Sequence, residues 1–151
     1  MTKVKDEMTR RVVYVVENDD AALAYQQMAA IETHHIPVVR DGLVVGMLSD
    51  REIFLHGHLR NGKVIAPNKS VGEVMTSPVV TCRPDQSISS VAALMIDFKL
   101  YGLPVVDGEG KLVGILTSTD LLRLLTHTDW NVSDRLPFIF EQPARLLGLT
   151  N

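Results

Sequence analysis

One pattern occurs twice in this chain, and that repetition limits the possible folds more than any single motif does. Leu103-Pro104-Val105-Val106 follows Ile36-Pro37-Val38-Val39 at a separation of 67 residues, and Gly114 follows Gly46 at 68. Backwards from the prolines, Val80, Thr81 and Met95 follow Val13, Tyr14 and Met28 at 67, so the second copy carries one extra residue in its turn. A unit of about 55 residues is marginal as a free-standing domain. Two units that cover each other's apolar faces are expected, with related clefts between the halves.

In chain order, Met1 to Met8 is polar and is expected to fray. Val12 to Val16 has the β-branched character of a strand, and Asn18-Asp19-Asp20 supplies capping oxygens for a helix from Ala21 to Glu32. The expected apolar face of that helix is Leu23, Ala24, Met28 and Ile31. Ile36 to Val39 and Leu43 to Leu48 read as strands joined at Asp41-Gly42, followed by a helix through Ile53, Phe54 and Leu55. His56 to Lys69 reads as a fraying helix end and a loop, and Ser70 to Met75 as one short helical turn. The series then restarts. A strand Val79 to Cys82 leads to a helix Ile88 to Phe98, with Ile88, Val91, Ala92, Met95 and Phe98 on one face. Strands at 103–106 and 112–116 follow, with their turn at 107–110, and a closing helix runs from Leu121 to Leu125. The expected division is a first repeat at 8–62, a linker at 63–78, a second repeat at 79–127 and a tail at 128–151. That tail carries Trp130, Leu136-Pro137-Phe138-Ile139-Phe140 and Leu146-Leu147-Gly148-Leu149, which are expected to pack on the module or on a second chain.

The 151 residues are 46% hydrophobic and 5% aromatic, with a net charge of −3 and scattered basic residues. That balance points to an aliphatic core and against a broad nucleic-acid-binding face. The lone Cys82 lies in an expected strand and reads as a buried, inert thiol. No run approaches the roughly 20 apolar residues of a membrane span, and no signal-peptide pattern opens the chain, so a cytoplasmic location is expected. His34-His35, His56, His58 and His127 form no zinc-enzyme motif and read as solvated or wall-lining. No nucleophile elbow or phosphate-binding loop occurs, and no catalytic or metal-ligating residue is expected.

Two hydroxyl-x-x-carboxylate pairs occupy matching places, Ser49/Glu52 and Thr117/Asp120. The first is a capping box and the second a near relative; a helix cap alone would account for either. With Pro-Val-Val and Gly-x-x-[Ser/Thr]-x-x-Asp in order, and Met75-Thr76-Ser77-Pro78 leading into the second copy, the chain resembles the cystathionine β-synthase (CBS) domain pair. The resemblance implies an α+β fold of two tandem βαββα repeats packed sheet to sheet with pseudo-twofold symmetry. It further implies a regulatory module, not an enzyme, that binds an adenosine ligand: AMP, ADP or ATP, with NAD or S-adenosylmethionine in some members. Such pairs commonly form homodimers and signal occupancy to a regulated partner protein. By the same resemblance, Asp120 accepts ribose hydroxyls, Thr117 lies near ribose or phosphate, Thr81 lines the adenine pocket, and Tyr101, Gly102, Leu103 and Pro104 form its wall. In the first repeat Glu52 stands in the aspartate's place, one methylene longer, with Tyr14, His35, Ile36, Pro37, Ser49 and Arg51 at or beside the other positions. That cleft is expected to be empty or tuned to another ligand. The alternative function is a ligand-free protein–protein interaction or dimerisation module.

Overall fold

The structure, a computed structural model, describes residues 1–126. Each repeat is built on an antiparallel hairpin. In the first, β1 (His35–Arg40) pairs with β2 (Leu43–Ser49), placing His35 opposite Ser49 and Pro37 opposite Met47, with a bulge between Val38 and Val39. In the second, β5 (Gly102–Val106) pairs with β6 (Leu112–Thr117), placing Gly102 opposite Thr117 and Pro104 opposite Ile115, with a bulge between Val105 and Val106. The two registers are the same. Helices α2 (Ala21–Ala30) and α5 (Ile88–Asp97) precede the hairpins, and α3 (Asp50–His56) and α6 (Ser118–Thr126) follow them. The Asp20 and Ser87 side chains cap α2 and α5 by accepting from Leu23 N–H and Ser90 N–H.

The expected strands at 12–16 and 79–82 shrink to single parallel bridges, Val15 to Val38 and Cys82 to Val105. Each bridge is held by two backbone bonds, such as Cys82 N–H to Pro104 O at 3.0 Å and Val106 N–H to Cys82 O at 2.9 Å. Only Val15 is buried between Val12 and Val16, so this is an edge segment anchored at one residue.

The lead-in to each repeat packs on the other repeat. α1 (Val4–Glu7) and α4 (Val71–Val74) are single turns that start 67 residues apart. Val71 and Val74 join Val15, Met28, Ile36, Leu48 and Ile53 in the first core. Val4 and Met8 join Cys82, Val91, Met95, Leu103 and Leu116 in the second. The N-terminus therefore does not fray as expected: Val4 is fully buried, and its N–H donates to Gln86 O at 2.9 Å. α4 likewise belongs to the first core although it lies inside the expected linker.

The close approach of each lead-in needs a glycine. A methyl group at Gly114 would stand 2.6 Å from Met8 Sδ and 3.2 Å from Thr9 O, and one at Gly46 would stand 2.5 Å from Met75 Sδ and 3.1 Å from Thr76 O. Thr9 then pairs with Ile115 of β6 and Thr76 with Met47 of β2, as antiparallel bridges. The two hairpin turns also meet, Leu112 N–H donating to Gly42 O at 3.4 Å.

Other expectations shift. α2 buries Ala21, Ala24 and Met28, while Leu23 and Ile31 are exposed; the small alanines, not the leucine, allow the helix to sit close on its neighbours. Phe98 caps α5 and is exposed, outside the buried stripe of Val91 and Met95. The expected loop at 56–69 holds a hairpin, β3 (His58–Arg60) with β4 (Lys63–Ile65), turning on Asn61 and Gly62 at positive φ. The tail at 128–151 lies outside the described residues. No described helix is long and apolar enough to cross a membrane.

Candidate functional site

A cleft of about 950 Å³ runs between the repeats, and both hydroxyl–carboxylate pairs lie on its wall. Each pair sits where a hairpin strand turns into the following helix, so the backbone junction fixes its place. In the second repeat, Asp120 Oδ2 accepts from Thr117 N–H and Thr117 Oγ1, both at 2.8 Å, and Thr117 Oγ1 accepts from Asp120 N–H at 3.3 Å. In the first, Glu52 Oε2 accepts from Ser49 N–H at 2.8 Å and Ser49 Oγ at 2.7 Å, and Ser49 Oγ accepts from Glu52 N–H at 3.3 Å. Both pairs are therefore reciprocal caps, which satisfy the orphan donors of α3 and α6.

The remaining carboxylate oxygens separate the two halves. Asp120 Oδ1 is ion-paired with Arg123, whose Nη1 donates at 3.3 Å, and accepts a longer bond from Thr9 Oγ1 at 3.4 Å. Glu52 Oε1 accepts from Thr76 Oγ1 at 2.5 Å, a tight bond that the extra methylene makes reachable. A short hydroxyl–carboxylate bond is charge-assisted and stronger than a long one. Asp120 is also the more enclosed, at 5% exposure, while Glu52 is half-buried. One carboxylate thus faces the cleft wall through an exposed guanidinium and a long hydroxyl contact. The other is occupied by its own protein.

Between the halves, the His35 ring stacks on Tyr101, with centroids 6.4 Å apart and planes at 29°. Gly102 lies under it: a methyl group there would stand 3.5 Å from the His35 ring. Burial holds the His35 imidazole below its ordinary range, partly offset by Asp50 and Glu52, with His34 opposing them. His34 Nδ1 and Asp50 Oδ2 are 2.6 Å apart. Cys82 is buried in the second core, where desolvation raises its thiol to about 11, well away from a reactive thiolate.

Of the residues expected at the second cleft, Tyr101, Gly102, Leu103, Thr117 and Asp120 line the wall together. Thr81 and Pro104 do not. Val79 and Val80, just before Thr81, line the cleft instead. Pro104 is buried behind the wall opposite Ile115. Of the first-cleft residues, His35, Pro37, Ser49, Arg51 and Glu52 line it. Ile36 is 1% exposed in the core, and Tyr14 faces a separate hollow of about 330 Å³ beside Arg10 and Asp41. Val12 and Val13, just before Tyr14, line the cleft instead.

Thr9 and Thr76, each reaching the opposite repeat's carboxylate, were not among the expected site residues. Their signal was in the sequence: Met8-Thr9 precedes Met75-Thr76 by the same 67 residues. The cleft-lining charges Arg11, Glu32, Lys99 and Arg123 were missed as well. Among the described residues, no group of three or more His, Cys, Asp or Glu side chains is placed to hold a metal ion.

Comparison with known proteins agrees with this fold. The CBS domain model matches residues 4–58 and 71–127, so each match begins at a lead-in turn. The CBS domain-containing protein YhcV of Bacillus subtilis is 36% identical over 121 residues, which is 80% of this chain and 84% of that protein. The crystal structure of the CBS domain pair of protein MJ0100, in complex with 5′-methylthioadenosine and S-adenosyl-L-methionine, superposes with a TM-score of 0.73 at 29% identity, covering 84% of this chain and 98% of that one. The structure of CBSX2 in complex with AMP superposes with a TM-score of 0.72 at 27% identity, covering 84% and 98%. Further curated relatives are longer, and the chain spans 23–24% of their length.

Proposed function

We propose, from the premise that this chain belongs to the CBS domain family, that it is a regulatory module binding an adenine nucleotide (AMP, ADP or ATP) in the half of the cleft around Asp120. The observation that carries this reading is the state of Asp120: an enclosed carboxylate on a cleft wall, one oxygen committed to the cap and the other shared between the exposed Arg123 guanidinium at 3.3 Å and a long Thr9 contact at 3.4 Å. A ribose hydroxyl donating to that oxygen makes a charge-assisted bond in place of the long Thr9 contact, beside the Arg123 ion pair. Tyr101, exposed on the cleft wall, supplies a surface for a base, and Thr117 lies beside the ribose position. The relatives bound to AMP and to S-adenosyl-L-methionine support an adenosine ligand as a class.

Occupancy is signalled through Thr9. Thr9 belongs to the lead-in of the first repeat but bonds Asp120 of the second, so a ribose that takes Oδ1 releases a contact between repeats. A ligand shifts the equilibrium between two arrangements by its difference in affinity for them. The test is a thermal-shift panel of AMP, ADP, ATP, NAD and S-adenosylmethionine. Stabilisation of about 2.7 kcal/mol is expected at a hundredfold excess over Kd. No stabilisation by any of the five would refute the reading.

A second reading, association through a surface, is favoured by the exposed large apolar side chains Leu23 and Ile31 at the first repeat and Ile96, Phe98 and Leu122 at the second. A homodimer through these helices is compatible with the first reading. Light scattering on the Ile96→Glu/Phe98→Glu protein is expected to give a monomer where the wild-type chain gives a dimer, and a monomeric wild type would dismiss it.

A further inference from the structure

The pseudo-symmetry that matches the two halves of the cleft in shape sets them against each other in charge. The loop after α2 meets the start of α3, Asp50 N–H donating to His34 O at 3.2 Å. The loop after α5 meets the start of α6 in the same way, Ser118 N–H donating to Tyr101 O at 2.9 Å. In these matched loops Glu32 and Lys99 occupy the same place, both at positive φ (55° and 54°) and both on the cleft wall.

At the helix starts, Asp50 matches Ser118, and Arg51 matches Thr119. Two residues beyond the lead-in threonines, Pro78 in the first half matches Arg11 in the second. One turn into the helices, Leu55 matches Arg123, and only Arg123 reaches the wall. The second half therefore sets Arg11, Lys99 and Arg123 against the single carboxylate of Asp120. The first sets Glu32, Asp50 and Glu52 against Arg51, with His34 drawn to Asp50.

Resting on the adenosine-binding reading above, we infer that phosphate-bearing ligands are confined to the Asp120 half, and that the Glu52 half takes a phosphate-free adenosine derivative, uncharged or cationic. Glu32 and Lys99 are the residues that set this difference. A phosphate entering the second half meets Lys99 and Arg123 with hydroxyls from Ser118 and Thr119. In the first half the same group would meet Glu32 and Asp50, and like charges at short range in a partly enclosed cleft repel. A nucleoside without phosphate escapes that repulsion, and a cationic one gains from it. The Thr76–Glu52 bond adds a further demand: a ribose must displace a 2.5 Å contact before it is held, so this half binds more weakly.

Isothermal titration calorimetry with ATP and with adenosine tests this on four proteins: wild type, Lys99→Glu, Glu32→Lys and Glu32→Lys/Asp50→Ser. Glu32 and Lys99 are exposed, and each replacement keeps a residue of similar size at the same φ, so folding is expected to be preserved; circular dichroism checks it. Wild type is expected to bind one ATP per chain. Lys99→Glu is expected to weaken ATP by about tenfold or more while leaving adenosine within about twofold. The double variant is expected to bind a second ATP. Two equivalent ATP sites in wild type would overturn the inference while leaving the adenosine reading standing, as would equal losses of ATP and adenosine in Lys99→Glu. Absence of binding by either compound would overturn the adenosine reading, and this inference with it.

Discussion

Replacing Gly114 by alanine tests how the two repeats are locked together. The added methyl group would stand 2.6 Å from Met8 Sδ, 3.1 Å from Met8 Cγ and 3.2 Å from the backbone oxygen of Thr9. The methionine can swing, but Met8 is 8% exposed and packed in the second core, and the Thr9 oxygen accepts from Ile115 N–H at 2.9 Å. Overpacking of this kind costs about 1–3 kcal/mol, against a gain of about 0.5–1 kcal/mol for removing a glycine from a strand. The net loss is about 0–2.5 kcal/mol, and at about 2–4 °C per kcal/mol for a chain of this size the melting temperature falls by up to roughly 10 °C. Urea denaturation and calorimetry measure it. Gly108→Ala is the control, since its nearest neighbour would be the end of the Arg83 side chain at 3.6 Å. Adding Met8→Ala to Gly114→Ala should recover part of the loss beyond additivity, because the two side chains compete for one space. A Gly114→Ala protein more stable than wild type by the full gain of about 0.5–1 kcal/mol for removing a glycine would show that the Met8–Thr9 lead-in does not lie against β6.

Two further outcomes follow from packing and charge. Val4→Ala should cost about 2 kcal/mol in urea denaturation, because Val4 is fully buried in the second core; a fraying N-terminus would make it neutral. Burial lowers the folded-state pKa of His35 below its ordinary 6.5, so the unfolded chain takes up that proton first. The stability from neutral His35 is complete above pH 6.5 and is lost as pH falls through the lowered value. His35→Gln should flatten that segment of the stability–pH profile, and an unchanged profile would place the imidazole in solvent.

The repeat, the hairpin registers and the two caps were legible because their signals are local. Pro37 and Pro104, Gly46 and Gly114, and each hydroxyl three residues before its carboxylate can be read from short windows. The cross-repeat contacts were not local: Thr9 and Asp120 are 111 positions apart, and only the fold joins them. Val4 and Met8 sit among charges, so their burial shows only when Val71 and Met75 are laid beside them. Periodicity also misjudged α2. It favoured Leu23 and Ile31, while the tight approach of the helix was made by Ala21 and Ala24. At 58–65 the Asn-Gly turn was a hairpin signal in itself, hidden by the polar residues around it.

On the proposed reading, a ligand in the Asp120 half displaces a long Thr9 contact beside the Arg123 ion pair, whereas one in the Glu52 half must break the short Thr76–Glu52 bond. Calorimetric titration of AMP into Asp120→Asn and Glu52→Gln tests that difference directly. Asparagine keeps the shape of the cap but removes the charge that the ribose hydroxyls would meet, a loss of about 1.5–3 kcal/mol, or tenfold or more in Kd. Glu52→Gln should leave AMP affinity within about twofold. An Asp120→Asn protein that is folded and binds AMP as wild type does, or a Glu52→Gln protein that loses as much affinity, would contradict the account.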